Sequence, residues 1–364
     1  MRRSRKTMLA IVLLLTWACP AVFAQNPFTD RADATVRNFK QNTEFSGAVL
    51  IGRNGKILFQ KAYGSANREW NIPNTTQTRF RIASLTKQFT AAAILILQDK
   101  GRLKVSDSIF RYLTELPPQC QQITIHQLLT HTSGLPEYTS PTEIEKTLNL
   151  TGATAQQLIN LVKQQPMIFT PGTKLIYCNT GYLLLGMIIE KVSGLDYSMF
   201  LDRNIFVPLQ LKNTGYDIRA NILPGRASGY WMRNGRMENA GYVDASIPFA
   251  AGGLYSTVGD LYKWNEALAN GSLLSDESRR AMFTPYPEAE LSGMHYGYGV
   301  VISEKFGQLR YSHGGGIQGF ASAIERYPRA NICVVILANE DEVKSWELAG
   351  SLAGLLLNND ELKR

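Results

Sequence analysis

The chain has 364 residues, a formal net charge of +8 at neutral pH and a hydrophobic content of 45%. This length is ample for a large core, so the chain can form one big domain or two interleaved lobes. No dense run of Lys and Arg occurs, so nucleic acid is not an expected partner.

The first 24 residues have the pattern of a secretory signal. Four of the first six residues are basic, residues 8–21 are almost wholly apolar, and residues 22–24 suit cleavage by signal peptidase. A membrane anchor is the alternative, but the apolar run is short and is broken by Pro20. We therefore predict an exported protein, periplasmic or secreted, that begins near Gln25 and has no stable membrane span. The removed segment carries four basic residues and no acidic one, so the net charge falls from +8 to +4.

The mature chain opens with a predicted short amphipathic helix over residues 29–39. Residues 47–52 and 55–60 are β-prone runs on either side of a turn at Arg53 and Asn54, and the Asn-Gly pair there is a strong hairpin signal. Residues 84–98 are rich in helix formers and contain no Gly or Pro, which predicts a helix.

The middle of the chain, residues 102–290, lacks strand periodicity and is predicted to consist of helices joined by loops. The predicted helices cover residues 124–129, 155–164, 180–192 and 257–269. Strands return near the C-terminus, and a helix over residues 341–357 follows them. The predicted strands cover residues 297–303, 308–311, 322–327 and 332–338.

These elements predict an α+β fold in which the early and late strands share one antiparallel sheet flanked by helices. The α/β lobe comprises residues 25–101 and 291–364, and a mainly helical lobe, residues 102–290, is inserted between them. Both lobes form a single catalytic domain, residues 25–364. A functional site is expected in the cleft between the lobes.

Ser84 and Lys87 form the only Ser-x-x-Lys in the chain. The predicted helix places Lys87 one turn after Ser84 on the same face. A hydroxyl needs a base to become a nucleophile, and an amine desolvated by packing can have its pKa lowered enough to be that base. The alternative interpretation is a helix-capping Ser followed by a surface Lys.

Tyr177 and Asn179 form the only Tyr-x-Asn in the chain and lie just before a predicted helix. A Tyr beside a cationic Lys is expected to lose its proton more easily and to act as a general base. An Asn amide can hold a substrate carbonyl and a Lys ammonium together. The alternative for Tyr177 is ordinary packing under the start of a helix.

A third segment consists of His313 and the glycines that follow it, including Gly315 and Gly316. Glycines let a substrate backbone lie against an edge strand and leave a main-chain N–H free to hold an oxyanion. His313 is expected to point into the cleft beside Ser84 and to be partly charged near neutral pH. A flexible glycine turn is the alternative.

No metal site and no cofactor is predicted. His126 and His131 lack the spacing of a metal-binding motif, and the loop that begins at His131 is expected to be architectural. The cysteines of the mature chain are too widely spaced for a disulfide framework, so buried thiols are expected at Cys120, Cys178 and Cys333.

These three segments, in this order and at these separations, make the chain similar to the serine β-lactamase and penicillin-binding-protein superfamily. The resemblance is greatest to the class C β-lactamase-like branch, which includes D-alanyl-D-alanine peptidases, D-aminopeptidases and esterases. It covers residues 45–341 and extends to the connecting stretches 128–136 and 251–257.

The resemblance implies that Ser84 is acylated and that Lys87 and Tyr177 share the proton transfers. It also implies that the oxyanion rests on the N–H groups of Ser84 and of the third glycine after His313. The implied substrate-binding residues are Asn179, His313, Gly315 and Gly316.

The third segment departs from the family pattern. Penicillin-interactive members usually carry Lys-Thr-Gly there, whereas this chain has His313, Gly314 and Gly315. A permanent cation and a hydroxyl for a substrate carboxylate are therefore missing. The predicted function is an exported serine hydrolase that acts through an acyl-enzyme on D-amino-acid peptides or small esters, with peptidoglycan fragments as candidate partners. The alternatives are a class C-type β-lactamase and a non-catalytic binder or sensor of cell-wall peptides.

Overall fold

The structure is a computed structural model that describes residues 27–39, 45–139 and 149–358. The predicted signal, residues 1–24, lies outside the described residues. Among the described residues, no helix is both long and apolar enough to cross a membrane.

Strands and helices alternate along the chain in groups. The strands are β1 Gly47–Arg53, β2 Lys56–Tyr63, β3 Ser65–Asn67, β4 Ile72–Pro73, β5 Phe80–Arg81, β6 Gly215–Tyr216, β7 Tyr230–Arg233, β8 Arg236–Asn239, β9 Leu254–Ser256, β10 Glu290–Leu291, β11 Met294–Tyr296, β12 Val301–Lys305, β13 Gln308–Ile317, β14 Phe320–Tyr327 and β15 Ile332–Ala338. The helices are α1 Pro27–Asn38, α2 Thr86–Asp99, α3 Ile125–Leu129, α4 Asn149–Thr151, α5 Ala155–Asn160, α6 Asn179–Ser193, α7 Tyr197–Leu201, α8 Phe249–Gly252, α9 Val258–Asn270, α10 Asp276–Met282 and α11 Ser345–Leu357.

The main sheet joins the two ends of the chain. Its strand order is β10-β11-β12-β13-β14-β15-β1-β2, and neighbouring strands are antiparallel. β1 pairs with β15 on one side, with Gly47 opposite Ala338, and with β2 on the other. The predicted antiparallel sheet of early and late strands is therefore confirmed.

Helices cover both faces of this sheet, so the inner strand β15 is buried on both faces. β15 is apolar and buried at every position. Val334 and Ile336 pack in one core with α1 and α11, whereas Val335 and Leu337 face the core of α2 and α9. This alternation follows from the two-residue period of a strand.

The boundaries of several predicted helices are confirmed by the signals at their ends. α3 begins after a capping box in which Thr124 and Gln127 satisfy each other's backbone N–H groups. α6 ends at Ser193 and is capped by Gly194, whose φ of 73° places it in the left-handed region that favours glycine. The hairpin is also present, with the turn shifted by one residue to Asn54 and Gly55.

Other predicted boundaries are wrong. The helix predicted over residues 155–164 ends at Asn160, and the helix predicted from residue 341 begins at Ser345. The strand predicted from residue 297 begins at Val301, because a turn closed by the bond from Gly297 N to Val300 O precedes it. The middle of the chain also contains β6 to β9, which are too short, at two to four residues, to show a strand period.

Candidate active site

Ser84 lies in a short turn that enters α2. The turn is a 3-10 helix over Ala83–Leu85, and α2 begins at Thr86, so Ser84 precedes the helix that it was predicted to start. Ala83 has a φ of 46°, a left-handed backbone conformation that is costly for a residue with a side chain. Such strain persists only where surrounding packing enforces it, and both Ala83 and Leu85 are buried.

Lys87 is fully buried, and its amine contacts three oxygen atoms. Nζ donates to Ser84 Oγ at 3.1 Å, to Asn179 Oδ1 at 2.8 Å and to the Ala251 carbonyl at 2.9 Å. Desolvation lowers the pKa of Lys87 to about 7, although the negative charge of Glu137 opposes this shift. A neutral amine is therefore accessible at ordinary pH, within hydrogen-bond distance of the Ser84 hydroxyl. The interpretation of Lys87 as a surface residue is wrong.

Tyr177 lies above the same amine. Its ring centroid is 4.7 Å from Lys87 Nζ, and the Ser84 side chain lies close enough to the Tyr177 hydroxyl to influence its pKa. Desolvation raises the pKa of Tyr177, and the neighbouring Ser84 hydroxyl offsets only part of this effect. The expectation that the phenol loses its proton more easily is therefore wrong, because desolvation of the hydroxyl outweighs the neighbouring amine, although the Tyr177 residue as a whole is 42% exposed.

Asn179 is held by two residues that the sequence analysis missed. Its backbone N–H donates to Glu137 Oε2 at 2.5 Å, and its side-chain amide donates to Thr139 Oγ1 at 3.3 Å. Thr139 also donates to Glu137 through both its N–H and its hydroxyl. Glu137 thus ties the loop after α3 to the start of α6. No short-range pattern marks Glu137, because Asn179, the partner that links it to the site, lies 42 residues away in the chain.

His131 supports the Tyr177 segment from beneath. It is buried, with a φ of 58°, and its ring centroid lies 4.2 Å from that of Tyr177. Nδ1 accepts a hydrogen bond from Cys178 N at 3.1 Å, while Nε2 has no hydrogen-bond partner among the described residues. Burial and the nearby Lys87 charge hold the pKa of His131 well below its ordinary value, so the ring is neutral. The architectural role expected for this loop agrees with these contacts.

His313 is buried, and it does not line the cavity beside Ser84. Its Nδ1 donates to the Gly314 carbonyl at 2.6 Å, which leaves Nε2 to accept from the Tyr296 hydroxyl at 2.7 Å. Desolvation, followed by the charge of Lys87, lowers the pKa of His313 to about 4. The expectation of a partly charged imidazole in the cleft is wrong, because burial disfavours the charged form.

The glycines after His313 continue β13 instead of forming a flexible turn. β12 pairs only as far as Ser312, so among the described strands residues 313–317 have a neighbour on one edge only, β14. A Cβ atom on Gly315 would lie 2.5 Å from the Ile82 carbonyl and 2.9 Å from Ser84 N. Gly315 is therefore required for close approach of β13 to the Ser84 turn. A Cβ atom on Gly316 would meet no described heavy atom within 4 Å.

A cavity of about 220 Å³ opens beside Ser84. Within the described part of the chain, no Lys, Arg, His, Asp or Glu lines it, and its polar lining comes mainly from hydroxyl, amide and backbone groups. The lining residues are Ala83, Ser84, Tyr138, Thr139, Asn149, Asn179, Val243, Ile247, Pro248, Ala251, Gly252, Gly316, Ile317 and Gln318.

Neither a disulfide nor a cluster of metal ligands is found among the described residues. Cys120, Cys178 and Cys333 are buried free thiols. Among the described residues, no group of three or more His, Cys, Asp or Glu is placed to hold a metal ion.

Comparisons with known proteins agree with this geometry. The Beta-lactamase family model matches residues 32–356. The putative penicillin-binding protein PbpX of Bacillus subtilis (strain 168) is 32% identical over 308 residues, which cover 83% of this chain and 72% of that protein. A penicillin binding protein from Bacillus halodurans superposes with a TM-score of 0.79 at 29% identity, covering 91% of this chain and 99% of that one. A D-stereospecific amidohydrolase from Streptomyces sp. superposes with a TM-score of 0.76 at 27% identity, covering 88% and 97%.

Proposed function

We propose that this chain, which belongs to the β-lactamase family and is a serine hydrolase, forms a covalent acyl-enzyme on Ser84. The contact that supports this most directly is the 3.1 Å hydrogen bond between Lys87 Nζ and Ser84 Oγ. An unprotonated Lys87 would remove the Ser84 proton as Oγ attacks the carbonyl carbon of the substrate. Asn179 would orient the amine through its 2.8 Å bond to Nζ.

The remaining steps would use Tyr177 as a proton carrier. Breaking the scissile bond requires a proton on the leaving group, and the Tyr177 hydroxyl, whose ring lies 4.7 Å from Lys87 Nζ, would pass a proton from the Lys87 ammonium. A water molecule would then attack the ester on Ser84 and release the acid. Because the pKa of Tyr177 is raised, we assign the base to Lys87 and the relay to Tyr177.

The oxyanion would be held by the backbone N–H groups of Ser84 and Gly316. The close packing of Gly315 on Ser84 N supports this assignment, because it brings the two backbones together. The edge of residues 313–317 that lies away from β14 would bind the substrate backbone in an extended conformation.

We propose small esters and D-amino-acid amides or peptides as substrates. The cavity beside Ser84 has no cationic lining in the described part of the chain, and His313 is neutral, so a carboxylate next to the scissile bond would have no charged partner there. Similarity to a D-stereospecific amidohydrolase favours D-amino-acid amides. We propose peptidoglycan fragments as the natural source of such peptides.

We further propose that residues 1–24 direct export, to the periplasm or the medium, and that residues 25–364 form a single catalytic domain with the two lobes described above. The basic and apolar pattern of the first 24 residues supports this proposal. N-terminal sequencing of secreted protein should find Gln25 at or near the start, and an intact Met1 on the secreted protein would contradict it.

The decisive experiment is covalent labelling with a fluorescent phosphonate. We expect wild type to be labelled and Ser84→Ala to lose the label completely. Ser133→Ala is the matched control, because Ser133 is also buried near the site, and its hydroxyl accepts only one long bond, 3.4 Å, from Leu135 N. Labelling that survives in Ser84→Ala would contradict the assignment, and an unlabelled wild type would favour the non-catalytic binder.

The class C-type β-lactamase alternative is decided by comparing two substrates. We expect kcat/KM for a short-chain p-nitrophenyl ester to exceed that for nitrocefin, because nitrocefin carries a carboxylate for which the cavity offers no cation. The ratio should stay constant between pH 5 and 8, since the pKa of His313 is about 4. A wide preference for nitrocefin would establish the β-lactamase instead.

A further inference from the structure

A second cavity, of about 720 Å³, adjoins the cavity beside Ser84. The two share part of their lining, so a substrate that lies along β13 can extend from one into the other. The shared residues are Asn149, Val243, Gly316, Ile317 and Gln318. His313 lines neither cavity within the described residues, so the second cavity lies at the end of β13 opposite to His313.

Unlike the first cavity, the second is lined by a cationic side chain, Arg233, which stacks on the ring of Trp231. Trp231 and Arg233 are two residues apart on β7 and therefore lie on the same face of the strand. The Arg233 guanidinium carbon lies 3.8 Å from the centroid of the Trp231 ring. Stacking restricts the side chain while Arg233 remains exposed, so less conformational freedom is lost when it binds an anion.

The second cavity also contains an unsatisfied carboxylate. Asp341 Oδ2 accepts from Gly319 N at 3.3 Å, whereas Oδ1 is buried and has no hydrogen-bond partner among the described residues. A buried acceptor without a donor is unfavourable, and Asp341 lines the cavity, so a ligand donor that reaches its carboxylate would relieve this cost. Arg233 does not supply it, since the described ion pairs include none between Arg233 and Asp341.

Arg233 and Asp341 lie on two segments that a backbone hydrogen bond joins. Tyr230, the first residue of β7, donates its N–H to the Asn339 carbonyl at 3.0 Å, two residues before Asp341. Its hydroxyl donates to Glu69 at 2.6 Å, which anchors the same end of β7 a second time. Arg233 and Asp341 are thus placed in one cavity by the same strand contact.

We propose that this second cavity binds the distal end of a peptide substrate whose terminal residue carries both a free ammonium group and a free carboxylate. Arg233 would bind the carboxylate through paired N–H donors, and the Asp341 carboxylate would accept from the ammonium. The scissile bond would lie at Ser84, with the intervening backbone along β13. This inference rests on the proposed function, since it names the part of the substrate that lies away from Ser84.

The test uses four forms of one chromogenic peptide, γ-glutamyl-D-alanyl-D-alanine p-nitroanilide. The γ-linkage leaves the α-ammonium and α-carboxylate of the distal residue free. The other forms are N-acetylated, α-amidated, or blocked at both groups. We expect wild type to hydrolyse the free form about tenfold better in kcat/KM than either singly blocked form, as for the loss of one charge-assisted hydrogen bond.

Each variant should abolish one of these differences. In Arg233→Gln the amidated and free forms should become equivalent, while acetylation should still weaken hydrolysis. In Asp341→Asn, which keeps an oxygen for Gly319 N–H, the acetylated and free forms should become equivalent. Arg236→Gln is the matched control, because Arg236 is exposed, lies opposite Arg233 in the same hairpin and does not line the cavity. Thermal unfolding of each variant checks its folding.

Equal hydrolysis of the four peptides by wild type, or the same ratios in all variants, would overturn the inference. It would also be overturned if a neutral ester acylated Ser84 but no peptide were hydrolysed, and the proposed acyl-enzyme would then stand. If neither ester nor peptide acylated Ser84, the proposed function would fail as well, so the two failures are distinguishable.

Discussion

At the scale of single residues, burial decides the chemistry of this site. Lys87, Tyr177 and His313 are titratable groups close to one another, and desolvation is the largest influence on each. It lowers the pKa of the amine and the imidazole and raises that of the phenol, so each group favours its neutral form. The site therefore contains few permanent charges, and Lys87 is the group whose protonation changes nearest to neutral pH.

The charge of Glu137 raises the pKa of Lys87, so the replacement of Glu137 provides a testable prediction. If Lys87 is the base, kcat/KM for a neutral ester should rise as pH increases through about 7, because the amine must be unprotonated. The Glu137 carboxylate stabilises the ammonium form of Lys87. Glu137→Gln should therefore move the rising limb of the pH profile to lower pH by roughly half a unit to one unit. A Gln oxygen can still accept from Asn179 N, which preserves the loop.

The measurement is a pH profile of ester hydrolysis between pH 5 and 9, corrected for spontaneous hydrolysis. Glu115→Gln, which removes an exposed acid outside the site, serves as the control and should leave the limb in place. A limb that stays fixed in Glu137→Gln would show that Glu137 has no influence on the base.

At the scale of elements, the site depends on how closely β13 approaches the turn before α2. Ser322 on β14 strengthens this approach, because its hydroxyl donates to the Ile82 carbonyl at 2.8 Å. The same carbonyl lies against Gly315. The strand, its neighbour and the Ser84 turn are therefore packed without space for one more methyl group.

Two neighbouring glycines test this packing. Gly315→Ala would place a Cβ atom 2.5 Å from the Ile82 carbonyl, and overpacking of this kind destabilises a protein by about 1–3 kcal/mol. Gly316→Ala should leave the free energy of unfolding nearly unchanged, because no described atom lies within 4 Å of its Cβ position. Urea denaturation measures both, and equal losses would contradict the predicted contrast. We also expect the rate of phosphonate labelling to fall sharply in Gly315→Ala.

At the scale of the whole molecule, two buried histidines are neutral in the folded state. His131 and His313 have lowered pKa values in the folded state, and both regain ordinary values on unfolding. Between pH 6.5 and about 4 the unfolded chain therefore binds more protons than the folded one. By linkage, stability is full above this range and is lost as pH falls through it.

We expect His313 alone to lower the free energy of unfolding by about 2 kcal/mol between pH 7 and pH 5. Urea denaturation at the two pH values measures this loss, and His313→Gln should make it smaller. His295, which is only half-buried, provides the control, and His295→Gln should leave the difference unchanged. Identical pH dependence in His313→Gln and wild type would contradict a buried neutral imidazole at this position.

The sequence by itself determined the elements whose signals are local. The hairpin around Asn54, the apolar strand at residues 332–338 and the helix that Gly194 caps follow from turn chemistry, periodicity and capping. The candidate residues Ser84, Lys87, Tyr177 and Asn179 were also recognisable, because unique short spacings carry them. The structure brings these four side chains together, as the hydrogen bonds of Lys87 to Ser84 and Asn179 and the short distance from Lys87 Nζ to the Tyr177 ring demonstrate.

Only the tertiary structure decided the protonation states and the distant partners. The neutrality of His313 arises from burial, and the raised pKa of Tyr177 from desolvation of its hydroxyl, by residues far away in the chain, which no spacing reveals. Glu137, Arg233 and Asp341 belong to no motif, and they acquire roles only where separate segments meet. The physical reason is that desolvation and charge–charge interactions depend on distance in space, whereas a sequence pattern records distance along the chain.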